Sequence, residues 1–190
     1  GQIRIERGGP EATSLRLSTP LIGRYNLHNA AQTALLALEL GVGAETVAAT
    51  LRLFYGPPGR LQKISGWNGV VALVDYAHTE DALRNVLTTL ADLKKARLAV
   101  VVGCGGDRDR EKRPRMARVC EELADRVYIT SDNPRTEDPQ AIIEEMTKGL
   151  LHGRNVHCVP DRRAAIRCAF AEAEPPDVVQ ARTVPTGRAG

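Results

Sequence analysis

The sequence predicts an α/β fold built around a mostly parallel β-sheet. Short apolar runs, for example residues 70–74 and 98–102, alternate along the chain with segments of helical periodicity. Each run is apolar at almost every position, which is typical of strands covered on both faces, as parallel strands are. A helix between successive strands provides the crossover connection that parallel strands require.

The predicted elements follow one another regularly after residue 69. Strands are predicted over residues 70–74, 98–102, 127–130, 156–159 and 177–180. Helices are predicted over residues 79–95, 114–123, 138–150 and 161–173. Thr79 can cap the first of these helices, and Pro114 suits the first turn of the second because a missing N–H leaves no partner unsatisfied there.

The first 59 residues follow a different pattern. Loose alternation over residues 1–22, interrupted by Gly8-Gly9-Pro10, predicts a hairpin. A helix is predicted over residues 29–40, with an inward face formed by Ala31, Ala34, Leu35 and Leu38. A second short helix is predicted, with the side chains of Val47, Leu51 and Phe54 on its inward face.

A domain junction is predicted at Gly56-Pro57-Pro58-Gly59, the strongest helix- and strand-breaking segment of the chain. We therefore expect one domain over residues 1–59 and a second over residues 60–180. Residues 181–190 show no helix or strand pattern, and we expect them to form an irregular tail.

Composition argues against several functional classes. The 190 residues carry a net charge of +3, too small an excess to predict a nucleic-acid surface. No apolar run approaches the roughly 20 residues that cross a bilayer, so no membrane association is predicted. The four cysteines have neither a metal-ligand spacing nor a compact disulfide framework, and four free thiols fit a reducing cytoplasm.

Three polar segments directly follow three of the predicted strands. They are Asp75-Tyr76-Ala77-His78-Thr79, Gly103-Cys104-Gly105-Gly106-Asp107-Arg108 and Ser131-Asp132-Asn133-Pro134-Arg135. Taken singly, each segment is also explained as a tight turn. Because ligands of open parallel sheets bind beyond the carboxyl ends of the strands, the three together predict a single binding rim.

The side chains of this rim suit an amino acid. Arg108 and Arg135 are expected to point into the same space, where a guanidinium group binds a carboxylate or phosphate bidentately. Asp132 can accept a hydrogen bond from an ammonium group, and Asn133 offers both a donor and an acceptor. The rim does not fit the G-x-G-x-x-G pattern, and no G-x-x-x-x-G-K-[ST] motif occurs in the chain.

Five ordered motifs resemble those of the Mur ligases, and most closely the diaminopimelate-adding members. They are Gly23-Arg24-Tyr25-Asn26-Leu27-His28-Asn29, Pro58-Gly59-Arg60-Leu61, the segments that begin at Asp75 and Gly103, and Asp132-Asn133-Pro134-Arg135. They cover about residues 20–175 in family order and spacing. The resemblance implies a Rossmann-like, mostly parallel C-terminal Mur ligase domain over residues 60–180, preceded by the end of the central ATP-binding domain.

The resemblance also implies roles for individual residues. Asn29 corresponds to an asparagine that contacts adenine, and Arg60 and Asp75 correspond to a pair that reaches the ATP phosphate and ribose, with His78 nearby. The implied diaminopimelate site consists of Arg108, Asp132, Asn133, Pro134 and Arg135. The second carboxylate of diaminopimelate, which lysine lacks, is the group that Arg135 can pair with.

The implied reaction is ATP-dependent amide synthesis through an acyl phosphate in peptidoglycan precursor synthesis. It adds meso-diaminopimelate to UDP-N-acetylmuramoyl-L-alanyl-D-glutamate in the bacterial cytoplasm, with Mg²⁺. In the family, the glycine-rich ATP loop, the metal ligands and the carbamylated lysine lie upstream of the segment that matches this chain. We therefore expect this chain to be inactive alone.

One departure from the family and two alternatives affect this interpretation. The family's Gly-Lys-Gly-His-Glu segment is replaced by Val179-Gln180-Ala181-Arg182-Thr183-Val184-Pro185, so its glycine and glutamate contacts to diaminopimelate are missing. A folylpolyglutamate or cyanophycin synthetase would share Asn29, Arg60 and Asp75. A non-enzymatic Rossmann-type nucleotide-binding module would need a complete glycine fingerprint, and Arg108 stands in place of its last glycine.

Overall fold

The computed structural model describes residues 1–7 and 13–182, which divide into two units, Gly1–Pro58 and Gly59–Gly190. The first unit pairs strand β1 (Gln2–Arg7) with strand β2 (Thr13–Ser18) in antiparallel register. Helices α1 (Arg24–Glu39) and α2 (Ala44–Leu53) follow. The predicted hairpin is confirmed in its two strands, whereas Gly8-Gly9-Pro10 lies outside the described residues.

The core of the first unit is small, and three residues predicted to face inward, Ala31, Leu35 and Phe54, are not part of it. Its buried residues are Leu17, Ala30, Ala34, Val47 and Leu51. Leu35 is exposed, because Ala30 and Ala34 define the inward line of α1 and the next residue is rotated about 100° away from it. Phe54 is 47% exposed because it follows the end of α2 with an extended backbone, so it leaves the buried face of the helix.

The second unit contains a six-stranded sheet in the order β3-β4-β8-β5-β6-β7. Its strands are β3 (Gln62–Trp67), β4 (Val70–Asp75), β5 (Leu98–Val102), β6 (Arg126–Ile129), β7 (Val156–Cys158) and β8 (Val178–Arg182). Its helices are α3 (Glu80–Leu93), α4 (Lys112–Leu123), α5 (Pro139–Thr147) and α6 (Arg162–Ala171). Only β3 is antiparallel to its neighbour, so the predicted mostly parallel α/β fold is confirmed.

Strand β3 was not predicted, and its sequence explains why. It mixes polar and apolar residues, as suits an edge strand with one solvent-facing side, and Ile64 is exposed. The overlooked signal is the Asn68-Gly69 turn that joins β3 to β4. Both residues have positive φ, 39° and 80°, which is the backbone geometry that Asn-Gly favours in tight hairpins.

Several helix and strand boundaries also differ from the prediction, and helix α1 begins at Arg24 rather than at residue 29. Helix α4 begins at Lys112, and Pro114 is its third residue, where the first turn still requires no N–H donor. Strand β8 continues through Ala181 and Arg182, so these two residues do not belong to an irregular tail. Ala181 is paired with β4 on one side and β5 on the other, and Arg182 is paired with Asp75 of β4. Residues 183–190 lie outside the described residues.

The helices begin where the sequence provides side-chain caps. The Thr79 hydroxyl accepts from the N–H of Ala82 at 3.3 Å, and the Asp161 carboxylate accepts from the N–H of Ala164 at 2.6 Å. Helix α3 then buries Leu83, Val86, Leu87 and Leu90, and all five residues of β5 are buried. Among the helices of residues 1–7 and 13–182, none has the length and apolar character of a membrane-spanning segment.

Gln180 is an unusual residue at the centre of this sheet. It lies on β8 between Leu73 of β4 and Val100 of β5, and it is completely buried. Neither its amide nitrogen nor its side-chain oxygen has a hydrogen-bond partner among the described residues. Burying an amide without a partner is unfavourable, because the group gives up its hydrogen bonds to water.

We therefore expect Gln180→Leu to stabilise the protein by about 1–3 kcal/mol, because it removes two unsatisfied polar groups at nearly constant volume. In urea denaturation the change should appear as a higher urea concentration at the unfolding midpoint, with an unchanged dependence of the unfolding free energy on urea concentration. Gln140→Leu is the matched control, because Gln140 is exposed on α5, and its effect should stay within about 0.5 kcal/mol. Equal effects of the two substitutions would contradict the prediction.

Candidate functional site

The loops after β5 and β6 are hydrogen-bonded to each other at the carboxyl edge of the sheet. The N–H of Gly106 donates to the carbonyl of Asn133 at 2.9 Å, and the Arg135 guanidinium donates to the carbonyl of Gly106. The Thr136 hydroxyl donates to the Asp107 carboxylate at 2.7 Å. A Cβ atom on Gly106 would overlap the carbonyl oxygen of Pro134, so this close approach of two backbones requires glycine.

Two residues of the rim and Leu61, which is hydrogen-bonded to Asp75 of the rim, have a left-handed backbone that is unusual for residues other than glycine. Leu61, Asp107 and Arg135 have φ values of 44°, 51° and 50°. A carboxylate or amide oxygen accepts each backbone N–H: Asp75 for Leu61 at 2.8 Å, Glu137 for Asp107 at 2.6 Å and Asn133 for Arg135 at 3.3 Å. Such backbone strain is concentrated at functional sites, where surrounding contacts hold it in place.

An ion network with Arg113 at its centre supports these loops. Arg113 is completely buried on α4, and its guanidinium donates to Glu137 at 2.6 and 2.9 Å and to Glu145 at 2.7 Å. It also reaches the carbonyl of Gly105 at 3.4 Å. The hydrogen bond from Arg113 lowers the pKa of Glu137 to about 2, and the N–H of Asp107 contributes to the same shift.

Sequence reasoning did not single out Arg113 as a buried residue. It lies within a run of six basic residues between Arg108 and Arg118, three of which are exposed. The available signal was its position in the helix, because Arg113 shares one face of α4 with Met116, Ala117 and Cys120, all of which are buried.

The residues expected at an ATP site occur in both units. Asn29 is exposed on α1 in the first unit. In the second unit the Arg60 guanidinium lies 5.4 Å from the centre of the Tyr76 ring, and the exposed His78 ring packs against Tyr76 with 5.1 Å between centroids. Asp75 is buried, and its two carboxylate oxygens accept the N–H groups of Leu61 at 2.8 Å and Ala77 at 2.7 Å. Asp75 therefore anchors two turns, the one that contains Arg60 and the one that contains Tyr76.

The residues expected at an amino-acid site lie on two neighbouring loops. Arg108 is exposed and lines an open groove of about 760 Å³. The other residues that line this groove are Asp107, Asp109, Arg110, Glu137, Asp138 and Ala141. Among the described residues, no hydrogen bond or ion pair involves the Arg108 side chain. Asn133 and Arg135 are exposed on the next loop. That the side chains of Arg108 and Arg135 point into the same space stays a prediction.

Arg182, at the end of β8, connects three loops of the rim and was not identified from the sequence. Its Nε donates to the carbonyl of Ala77 at 3.0 Å, and its Nη1 donates to the carbonyl of Gly103 at 2.9 Å. The same Nη1 forms an ion pair with Asp132. Asp132 therefore already has a cationic partner from this chain.

The described residues contain no group of three or more His, Cys, Asp or Glu side chains arranged to hold a metal ion. All four cysteines are free thiols, two of them buried and two exposed. Burial raises the pKa of Cys104 above its ordinary value, so this thiol in the glycine-rich loop stays protonated at neutral pH.

Comparison with known proteins identifies the family. Residues 59–181 match the "Mur ligase, glutamate ligase domain" family. This chain belongs to the Mur ligase family. The members are ATP-dependent ligases that form amide bonds. The match begins at the boundary between the two units and ends one residue before Arg182.

Individual Mur ligase relatives support the same assignment. The chain is 45% identical over 163 residues to the UDP-N-acetylmuramoyl-L-alanyl-D-glutamate–2,6-diaminopimelate ligase of Gloeobacter violaceus, covering 85% of this chain and 33% of that protein. A solved structure of a ligase with this name is 37% identical, has a TM-score of 0.66, and is matched over 94% of this chain and 37% of its own. The chain spans about a third of the length of the curated relatives that it matches.

The Mur ligase fold is shared with folylpolyglutamate synthases. The bifunctional folylpolyglutamate synthase/dihydrofolate synthase of Yersinia pestis, solved in complex with AMPPNP and Mn, is 25% identical with a TM-score of 0.66. The match covers 87% of this chain and 37% of that one. The fold therefore does not distinguish the two kinds of ligase, and the distinction depends on the residues of the rim.

The network around Arg113 predicts a specific pH dependence of stability. Because the pKa of Glu137 is lower in the folded protein, its contribution is fully present above about pH 4.5 and is lost as the pH falls toward about 2. We expect Glu137→Gln to lower stability at pH 7 and to flatten the decline over that interval, as measured by urea denaturation at a series of pH values. Glu144→Gln, on the exposed face of α5, is the control and should follow the wild-type curve. Parallel curves for Glu137→Gln and wild type would contradict this assignment.

Proposed function

We propose that this chain carries the amino-acid-binding part of a diaminopimelate-adding Mur ligase. The proposed reaction joins meso-diaminopimelate to the glutamate carboxylate of UDP-N-acetylmuramoyl-L-alanyl-D-glutamate, with ATP as the source of activation. The observation that carries the proposal is the Asp132–Arg135 loop, which is hydrogen-bonded to the glycine-rich loop after β5 at the carboxyl edge of the sheet. The 45% identity to a ligase of that name supports it.

The proposed amino-acid site uses the charges of two neighbouring loops. Meso-diaminopimelate carries two carboxylates and two ammonium groups. We assign its carboxylates to Arg108 and Arg135, because a guanidinium group binds a carboxylate through two parallel hydrogen bonds. We assign an ammonium group to Asp132 and further hydrogen bonds to Asn133. Pro134 fixes the loop, because its carbonyl accepts the N–H of Glu137 at 3.0 Å and lies directly over Gly106.

We propose that Arg60 and His78 of the second unit bind ATP, with Asp75 as a supporting residue, and that Asn29 of the first unit keeps its predicted role as an adenine contact. The Arg60 guanidinium is exposed and makes only a ring contact in the described structure, so its N–H groups are free to bind phosphate oxygens. Because both Asp75 oxygens accept backbone N–H groups, this carboxylate holds the loop that carries Arg60. Bound ATP supplies the phosphoryl group that activates a carboxylate. We assign no residue of this chain as a ligand of the Mg²⁺ that accompanies it.

These residues would contribute by positioning and by charge. Holding the amine and the activated carboxylate at reacting distance removes the entropic barrier to their encounter, and fixed cations stabilise developing negative charge. We propose that the Gly1–Pro58 unit is the end of the ATP-binding domain and that the Gly59–Gly190 unit is the amino-acid-binding domain. The four free thiols support a location in the bacterial cytoplasm.

The distal carboxylate of the ligand provides a direct test of the site. We expect the purified chain to bind meso-diaminopimelate more tightly than L-lysine, because only the former satisfies both arginines. Arg135→Ala should weaken diaminopimelate binding by roughly 10- to 100-fold and leave lysine binding nearly unchanged, as measured by isothermal titration calorimetry. Arg135→Lys should recover only part of the loss, because a single ammonium group cannot form the bidentate pair.

Arg115→Ala is the matched control for this experiment. Arg115 is exposed on α4, and among the described residues its ion pair is with Glu111, the residue that precedes the helix, at 3.6 Å. Its removal changes net charge by the same amount and should leave both affinities as in wild type. Equal weakening by Arg115→Ala and Arg135→Ala would show a general electrostatic effect and would argue against the site.

A second prediction concerns catalysis by the chain alone. The 190 residues contain no G-x-x-x-x-G-K-[ST] phosphate-binding loop. We therefore expect the purified chain, given ATP, Mg²⁺, diaminopimelate and UDP-N-acetylmuramoyl-L-alanyl-D-glutamate, to form no tripeptide product detectable by mass spectrometry. Formation of the product above a protein-free control would show that the chain has a complete catalytic site.

A further inference from the structure

The Asp132 side chain is buried in the rim, and only one of its two oxygens has a partner. The side chain is 3% exposed, and its Oδ2 forms an ion pair with Nη1 of Arg182. Its Oδ1 is buried and accepts no hydrogen bond from the described residues. Buried carboxylate oxygens normally have a hydrogen-bond partner, because their contact with bulk water is lost. Within the described rim segments, Oδ1 of Asp132 is the one buried side-chain oxygen that lacks a donor.

Arg182 is held in place by groups other than Asp132. Its Nε donates to the carbonyl of Ala77 at 3.0 Å, and its Nη1 donates to the carbonyl of Gly103 at 2.9 Å. Strand pairing with Asp75 fixes its backbone, and its side chain is only 8% exposed. The guanidinium therefore holds Oδ2 of Asp132 at a defined point. Because the two oxygens belong to one planar group, this contact also restricts the position of Oδ1.

The neighbouring polar side chains direct their hydrogen bonds to other acceptors. Arg162 donates to the carbonyls of Ser131, at 3.5 Å, and of Arg182. The Arg135 guanidinium donates to the carbonyl of Gly106. Among the described residues, none of these donors is hydrogen-bonded to Oδ1 of Asp132. The ion pair with Arg182 thus uses one oxygen and leaves the other open to a donor.

We propose that Arg182 is a positioning residue of the amino-acid site, because it holds Asp132 through Oδ2 so that Oδ1 accepts a hydrogen bond from an ammonium group of the ligand. The inference rests on the proposed function, which assigns Asp132 to an ammonium group, and it identifies the accepting oxygen and the residue that holds it. Arg182 acts through Asp132 and takes no part in bond formation.

A carboxylate that is fixed and shielded from water is a better partner for an ammonium group than a mobile, hydrated one. Exposed ion pairs contribute little, because both side-chain freedom and bound water are lost when they form. Arg182 removes both losses in advance, which is the advantage of a preorganised site. An amino acid also brings a carboxylate with its ammonium group, so the positive charge placed near Arg182 is compensated within the ligand.

The loss of Arg182 should therefore weaken recognition of the amine and not of the carboxylates. Without its buried partner, the Asp132 carboxylate is expected to turn toward water, because a buried charge without compensation is strongly unfavourable. Its Oδ1 is then hydrated and no longer fixed. A ligand with amines should lose affinity, whereas a ligand of the same length with carboxylates alone should not.

Calorimetry with meso-diaminopimelate and pimelate, which has the same carbon chain without amines, measures this difference. Wild type should bind diaminopimelate at least about 10-fold more tightly than pimelate. In Arg182→Ala the two affinities should come within about 2-fold of each other, with the affinity for pimelate unchanged. Arg182→Lys should recover only part of the preference, because one ammonium group cannot bind Asp132 and both carbonyls in the same geometry.

Arg167→Ala is the matched control, because Arg167 is exposed on α6 and its removal changes net charge equally. It should keep the wild-type preference. Equal weakening of both ligands by Arg182→Ala would show a merely structural role for Arg182. Tighter binding of diaminopimelate by Arg182→Ala would show that Arg182 competes with the ligand for Asp132. Either result would overturn the proposal.

Asp132→Asn keeps the test decisive if Arg182→Ala folds poorly. The asparagine oxygen can keep the hydrogen bond from Arg182, which places its NH₂ group, a donor, where Oδ1 was. The preference for diaminopimelate over pimelate should be lost in this variant. Adding Arg182→Ala to Asp132→Asn should change the ratio of the two affinities no further, because Arg182 acts through Asp132. A further change in that ratio would contradict the proposed route.

A small amine tests Oδ1 without diaminopimelate. Ethylammonium chloride should raise the unfolding temperature of wild type saturably, by roughly 3 °C beyond the effect of tetramethylammonium chloride, which has the same charge and no N–H donor. Asp132→Asn and Arg182→Ala should lose this difference between the two salts. An undiminished difference in Arg182→Ala would show that Asp132 binds amines without Arg182 and would refute the positioning role.

The two measurements separate this inference from the proposed function. A response to ethylammonium that requires both residues, without binding of diaminopimelate, would support the role of Arg182 and refute diaminopimelate as the ligand. A preference for diaminopimelate that survives in Arg182→Ala would support the proposed function and refute the role of Arg182. The absence of both the amine response and diaminopimelate binding would refute both.

Discussion

Strand β8 forms hydrogen bonds with β4 on one side and with β5 on the other, and the candidate site depends on this double pairing. The last strand of the described chain thereby occupies the centre of the sheet. Without it, β4 and β5 would not belong to one sheet, and the loops that follow them would not share an edge. The insertion also places the end of β8, and with it Arg182, between the two loops.

Two loops of the rim approach each other through backbone atoms. Gly103 lies against the carbonyl of Thr130, and Gly106 lies against that of Pro134, at separations that leave no room for a Cβ atom. The Arg113 guanidinium also connects the same loops, because it donates to Glu137, and Glu137 accepts the N–H of Asp107. Two loops that are far apart in sequence therefore behave as one surface, as a site that positions two reactants requires.

Much of this arrangement follows from local sequence, and the rest does not. The apolar runs around Val100 and Tyr128 predicted strands correctly, and the polar segments after them predicted a common rim. Asn68-Gly69 marked a hairpin that could have been recognised. By contrast, the contact of Arg182 with Asp132 joins residues 50 positions apart and depends on the strand order, which periodicity does not determine. Arg182 also belongs to the segment that departs from the family pattern, so the resemblance gave no information about its role.

The arginines of the second unit differ in what they leave available to a ligand. Arg113 forms ion pairs with two carboxylates, and these pairs hold the loops together, so its guanidinium is not available to a ligand. Arg182 is similarly engaged with one oxygen of Asp132. Arg108 is exposed in an open groove and has no partner among the described residues. The same residue type thus serves as support or as a potential ligand contact, and the difference is whether the fold places a carboxylate beside it.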